Sequence, residues 1–260
     1  MTTLTNGLKA RFAQSEVSYG LWLSLGSPSA TEALAHAGFD WLCIDTEHAP
    51  NDSRDVEQQL RAIAAAHLPS EPVVRVPSLH SEMVQRVLDA GARTLMFPAI
   101  ESAEQARLAV RRTRYPDTDY PDGMRGVAGT VRAAGYGARR DYLQGANAQI
   151  AVMLQIESAA ALAQVDAIAA TPGVDCLFVG PADLAASLGH LGDTKHPEVE
   201  AAFAAIAQAA ARAGIASGIF AMDVSSARRF RELGYTAVAL AADVIWLVRA
   251  TRQALQELRS

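Results

Sequence analysis

Cysteine is nearly absent: two in 260 residues, Cys43 and Cys176, each inside an apolar run of strand length. That scarcity argues against a disulfide framework and predicts two buried free thiols in a reducing compartment. No apolar run approaches the length needed to cross a bilayer, and Met1 to Ser18 lacks the apolar core of a signal peptide. A cytoplasmic protein with no membrane partner is therefore expected. Basic residues are outnumbered, 23 Lys and Arg against 28 Asp and Glu, for a net charge of −5, and they form no stripe. Nucleic acid is thus not an expected partner. A GxGxxG fingerprint after the first strand is also missing, which weakens a dinucleotide-binding reading.

What the chain does have is apolar residues, 50% of the total, cut into short runs that alternate with helical segments. Strands are predicted at Tyr19–Leu25, Trp41–Thr46, Pro72–Val76, Thr94–Phe97, Ala151–Glu157, Cys176–Val179, Ile215–Phe220 and Ala237–Ala241. Helices are expected between them: from Ser29 or Thr31 to Ala37, from Asp52 or Ser53 to His67, Ser81 to Gly91, and Ser102 to Arg114. Further helices are expected over Ser158 to Thr171, 198–213, 224–233, and from Asp243 nearly to the end. Tyr115 to Asn147, rich in Gly, Pro, Arg and Tyr, is too long to be a passive connector. Eight βα repeats with no dividing linker favour one α/β domain over 1–260, closed as a (β/α)8 TIM barrel. Chemistry in such barrels sits at the C-terminal ends of the strands.

The two acids ending adjacent strands, Glu157 and Asp183, then emerge side by side. Two carboxylates at one sheet edge suit a hard divalent cation. They equally suit helix N-termini favoured by the helix dipole. Period-two alternation puts Met153, Gln155 and Glu157 on one face of their strand, which makes Gln155 a partner for Glu157. Cys43 and Asp45 share a face, with His48 just past the strand; Asp45 holding the imidazole would make a general base, and Glu47 is a competing acid. Arg75 in an apolar strand is either paired structurally or a fixed cation for a ligand oxyanion. Gly180-Pro181-Ala182-Asp183 opens a helical turn whose amides suit a carboxylate. His190 and His196 show no metal-ligand spacing and are expected to be surface residues.

Four pieces in this order, Ile44–Asn51, Val74-Arg75-Val76-Pro77, Gln155-Ile156-Glu157 and Phe178–Leu184, make the chain resemble the HpcH/HpaI aldolases. The resemblance spans nearly the whole chain. It implies a divalent cation (Mg2+ or Mn2+, with Co2+ as a further option) and reversible aldol cleavage of 4-hydroxy-2-oxo acids. The products would be an aldehyde and pyruvate, or a close relative such as hydroxypyruvate, in aromatic or sugar-acid catabolism. By the same resemblance Glu157 and Asp183 look like metal ligands, and His48 like the base, acting with Asp45. Arg75 looks like the grip on the donor's carbonyl oxygen. Gly180, Pro181 and the amides of Ala182 and Asp183 would hold its carboxylate, and Trp22 would wall the pocket.

A Schiff-base aldolase is disfavoured, because no inferred strand interior carries a lysine. The resemblance also implies a homo-hexamer, a trimer of dimers, in which the apolar-striped last helix is exchanged between subunits. Departures occur at Arg125–Gly137, where the Gly-rich loop is altered, and at Phe220, where the family tends to carry Leu. Both are expected on the aldehyde side. A CoA-ester lyase of the same superfamily and a non-catalytic 2-oxo-acid-binding barrel are the alternatives.

Overall fold

Parallel strands cannot be joined by tight turns, so each apolar run must be followed by a crossover before it meets its neighbour. The computed structural model describes residues 5–260. Its strands are β1 (Ser18–Leu23), β2 (Trp41–Asp45), β3 (Glu71–Arg75), β4 (Thr94–Phe97), β5 (Ala151–Ile156), β6 (Cys176–Val179), β7 (Ala216–Ala221) and β8 (Ala237–Ala242). They pair in parallel in sequence order, and β8 returns to β1. The barrel read from the alternation is closed. Around it lie α1 (Gly7–Ala13), α2 (Pro28–Ala35), α3 (Ser53–Ala65), α4 (Met83–Asp89), α5 (Ala103–Thr113) and α6 (Tyr142–Gln149). The second half adds α7 (Ala159–Ala163), α8 (Val165–Ala169), α9 (Pro181–Ser187), α10 (Pro197–Ala213), α11 (Val224–Glu232) and α12 (Asp243–Arg259). Among the described residues no helix is long and apolar enough to cross a membrane.

Side-chain alternation sorts the strands into two cores. Leu42, Ile44, Val74, Leu95, Val152, Leu154 and Ile156 face the helices. Trp41, Cys43, Val73, Met96, Met153, Cys176 and Phe178 fill the barrel interior. Both cysteines are buried and free. Two glycines make room for the bulkiest interior rings. A Cβ on Gly20 would stand 2.2 Å from the Trp41 ring, and one on Gly218 would stand 2.4 Å from Phe178. Any larger residue there would collide with a packed ring.

The lead-in before β1 has a role that its polarity hid. Leu8 and Phe12 of α1 join the interior cluster and close the N-terminal mouth of the barrel. Asn6 anchors this plug, donating to Thr94 Oγ1 (2.9 Å) and to the carbonyls of Arg93 and Gln149. Lys9 pairs with Asp175 at 2.7 Å.

Two other local expectations change, and a third is filled in. The single helix over Ser158 to Thr171 is two short helices, broken at Gln164 (φ −113°, ψ 12°). The break turns Val165, Ile168 and Ala169 into the core, where α8 packs on α10. Helix α2 starts earlier than Ser29, because Ser27 accepts the Ala30 amide and Pro28 sits at the first helical position. Within Tyr115 to Asn147, a 3-10 segment (132–137) precedes α6. Arg125 lies between the rings of Tyr115 (4.2 Å) and Tyr142 (5.8 Å) and binds Asp89 at 3.2 Å. That cation–aromatic knot gives the segment a small core of its own.

Candidate active site

The C-terminal ends of the strands open into a cavity of about 420 Å³. Its aromatic wall comes from three inward positions. Trp22 on β1 meets Phe178 on β6 at 5.6 Å and Phe220 on β7 edge-on at 5.5 Å. Opposite Trp22, β8 carries an irregularity that includes Ala241 at φ 56° and brings Ala242 into register with Trp22 and onto the cavity lining. Asp243, buried at the next position, accepts the amides of Ser24 (3.0 Å) and Leu25 (3.1 Å) and so fixes the end of β1.

Register places Asp45 beside Arg75 on adjacent strands. The guanidinium grips that carboxylate twice, Nε to Oδ1 at 2.9 Å and Nη2 to Oδ2 at 2.7 Å, and reaches Glu47 through Nη1 at 2.9 Å. Its face lies 5.1 Å from the Trp22 ring. Burial opposes ionisation of Asp45, but the Arg75 hydrogen bonds and charge, helped by the amides of Glu47 and His48, hold its carboxyl below the usual range. Glu47 is shifted the other way: burial raises it, against the pull of Arg75 and His48.

This geometry corrects the expected Asp45–imidazole pair. Asp45 meets His48 only through the His48 backbone amide, at 3.4 Å, because both carboxylate oxygens are taken by Arg75. The His48 side chain is exposed on the loop after β2, within the electrostatic reach of Glu47.

Across the cavity, Glu157 follows β5 and Asp183 lies in the first turn of α9. A Cβ built on Gly180 would stand 2.9 Å from Glu157 Oε2, 3.5 Å from Asp183 Oδ2 and 3.5 Å from Gln155 Nε2. All three side chains thus converge over a glycine that leaves them room. Gln155 Nε2 donates to Glu157 Oε2 at 2.8 Å, while Ala99 N–H donates to Oε1 at 2.7 Å. Burial, with Glu47 and Asp183 adding repulsion, pushes the Glu157 carboxyl up to about 7 despite the Ala99 amide. Gln155 Oε1 is buried without a partner.

A half-buried acid poised to protonate beside a second carboxylate and an orphaned amide oxygen is an all-oxygen set with no cation paired to it by a salt bridge among the described residues. It fits a hard divalent cation. No side chain caps α9, and Gly180, Pro181, Ala182 and Asp183 all line the cavity.

A second group of possible metal donors lies outside this cavity. His190, His196 and Glu198 bring one ligand atom each within 4.8 Å of the others. Their rings stack at 3.5 Å, and His190 Nε2 lies 2.8 Å from Glu198 Oε2. The reading that these histidines have no metal-ligand arrangement is therefore corrected. Gly189 and Gly192, both at positive φ, let the loop turn back so that two residues six apart meet. Thr194 and Lys195 of the same loop line the cavity.

The family model for HpcH/HpaI aldolase/citrate lyase matches residues 18–250. The chain belongs to that family. A hydroxypyruvate/pyruvate aldolase of Paraburkholderia phytofirmans is 70% identical over 260 residues, covering 100% of both chains. A 5-keto-4-deoxy-D-glucarate aldolase of Shigella boydii is 46% identical over 239 residues, covering 92% of this chain and 91% of the other. The crystal structure of an HpcH/HpaI aldolase/citrate lyase family protein from Burkholderia cenocepacia superposes with a TM-score of 0.97 at 68% identity. It covers 98% of this chain and 100% of that one.

Within this family member, alternation alone could have identified Phe178 as an inward residue before the Gly180 turn. Ser24, Met222, Asp223, Ser226 and Phe230 also line the cavity, and nothing local in the sequence marked them. The Arg125–Gly137 segment lies elsewhere than expected. Arg132 and Ala133 face the strand starts, beside Glu71, Arg93 and Ile150, so in this chain the segment is at the opposite end of the barrel from the cavity.

Proposed function

We propose that this protein cleaves 4-hydroxy-2-oxo acids reversibly to an aldehyde and pyruvate or hydroxypyruvate. The observation that carries the proposal is the convergence of Glu157, Gln155 and Asp183 over Gly180, across one cavity from Arg75. The relatives described as hydroxypyruvate/pyruvate aldolases support the donor.

In this reading Glu157 and Asp183 hold a divalent cation, Mg2+ or Mn2+, which when bound supplies Lewis-acid stabilisation of charge on the donor's oxygen. Gln155 keeps Glu157 oriented through its 2.8 Å hydrogen bond. Arg75, held rigid by Asp45, Glu47 and Trp22, faces the donor's oxygens as a fixed cation. The amides of Ala182 and Asp183 receive the donor carboxylate. His48, on the loop after β2, takes the C4 hydroxyl proton in cleavage and returns it in condensation. Trp22, Phe178 and Phe220 keep water from the donor carbon.

Helix α12 bears Val244, Leu247, Val248, Leu255 and Leu258 exposed to solvent, Leu247 at 55% and Leu258 at 85%. In the same proposal this stripe packs on another copy in a hexamer, and light scattering of the purified protein tests it. The activity is tested with a 4-hydroxy-2-oxo acid, pyruvate release being followed with and without chelator. Loss on chelation, and in Glu157→Gln, is expected. Equal rates in all three would overturn the reading, and cleavage of a CoA ester instead would favour the lyase alternative.

A further inference from the structure

The altered segment that begins at Arg125 borders a second cavity, of about 410 Å³, at the barrel end opposite the candidate active site. One wall is apolar, formed by Leu60 and Ile63 of α3 and by Ile150. The other carries guanidinium groups. Arg93 is neutralised by Glu71, to which it donates at 2.8 and 3.1 Å. Arg132 and Arg139 have no carboxylate partner among the described residues.

Arg132 is half-buried, and its one strong contact is a neutral oxygen, the carbonyl of Ala90 at 2.6 Å. It is packed so tightly that a Cβ on Gly91 would stand 2.8 Å from its Nη1. Burial draws Arg132 below the ordinary guanidinium value, and Arg61 and Arg139 add repulsion against the attraction of Tyr136 and Glu57, each weaker than the effect of Arg61. Arg61 itself is committed to Glu57. Partly burying a cation without a counter-charge is costly, and a bound anion would offset that cost. In a chain of net charge −5, two uncompensated guanidiniums at one cavity are a local reversal of sign.

We propose that this cavity binds a phosphate monoester with a small apolar body, its phosphate held by Arg132 and Arg139 and its body against Leu60, Ile63 and Ile150. Guanidinium forks match the oxygens of a phosphate, and two of them balance the charge of a dianion. The site is independent of the proposed aldol chemistry, since none of these residues lines the C-terminal cavity.

The test is calorimetric titration of the full chain with phenyl phosphate and with inorganic phosphate at constant ionic strength. One equivalent of phenyl phosphate is expected to bind at least about tenfold more tightly than inorganic phosphate, from burial of its ring. Arg132→Gln and Arg139→Gln should each weaken that binding by at least about tenfold. Arg139 is exposed, so Arg139→Gln carries the test even where Arg132→Gln does not fold. Unchanged affinity in Arg139→Gln, or equal affinity for the two probes, would overturn the proposal.

Discussion

The amide of Ala99 donates to Glu157 Oε1 at 2.7 Å from a left-handed backbone, φ 53°. A non-glycine residue in that conformation carries about 1–2 kcal/mol of strain, so the loop after β4 is held there by its surroundings. Ala99→Gly relieves the strain while adding unfolded-state entropy, and stability should stay within about 1 kcal/mol of the parent. Ala99→Pro removes the donor and the conformation together. Divalent-cation affinity measured by calorimetry should survive the glycine change and fall at least about tenfold with proline. Equal affinities would show that Glu157 is oriented without this amide.

Cation binding should depend on pH through Glu157. Its carboxyl sits at about 7 in the cation-free protein, so a proton and a cation compete for it below that pH. Affinity for Mn2+ is expected to rise about tenfold per pH unit up to about 7 and then level. Titrations in buffers of different ionisation enthalpy would detect about one proton released per cation at pH 6. No proton release there would overturn Glu157 as a ligand of the cation.

Arg75→Met leaves Asp45 buried without its cation and should cost about 3–5 kcal/mol of stability by urea unfolding. The same pair sets an acid limit in the parent. Asp45 is held below its unfolded value, so the pair stabilises fully above about pH 4 and less as pH falls through the native value. The variant's stability should lack that acid-side slope. A parallel pH profile in parent and variant would contradict the assignment.

Phe220 stands edge-on to Trp22 at the rim of the cavity. Phe220→Leu shortens that wall without touching Arg75, Glu157 or Asp183. KM for the 2-oxo donor should stay within about twofold, while kcat/KM across an aldehyde series shifts by about tenfold toward bulkier acceptors. A uniform change for all aldehydes would place Phe220 outside the acceptor site.

Much of this was legible because it is local. Eight apolar runs with period-two alternation, separated by capped helical segments, give a parallel sheet whatever lies elsewhere in the chain. The same alternation put Gln155 and Asp45 inward, and the strand ends marked where Glu157, Arg75 and Asp183 would gather. Partner choice was decided only by the fold. Asp45 and Arg75 are 30 residues apart and meet because β2 and β3 pair in one particular register, which draws Asp45 away from the nearer His48. The Arg125–Gly137 segment closes on Asp89 and Tyr142 and so reaches the far mouth of the barrel. His190 and His196 stack through two left-handed glycine turns. Periodicity is a property of neighbours along the chain, whereas ion pairs and ring stacks follow distance in space, and that is set only when the barrel closes.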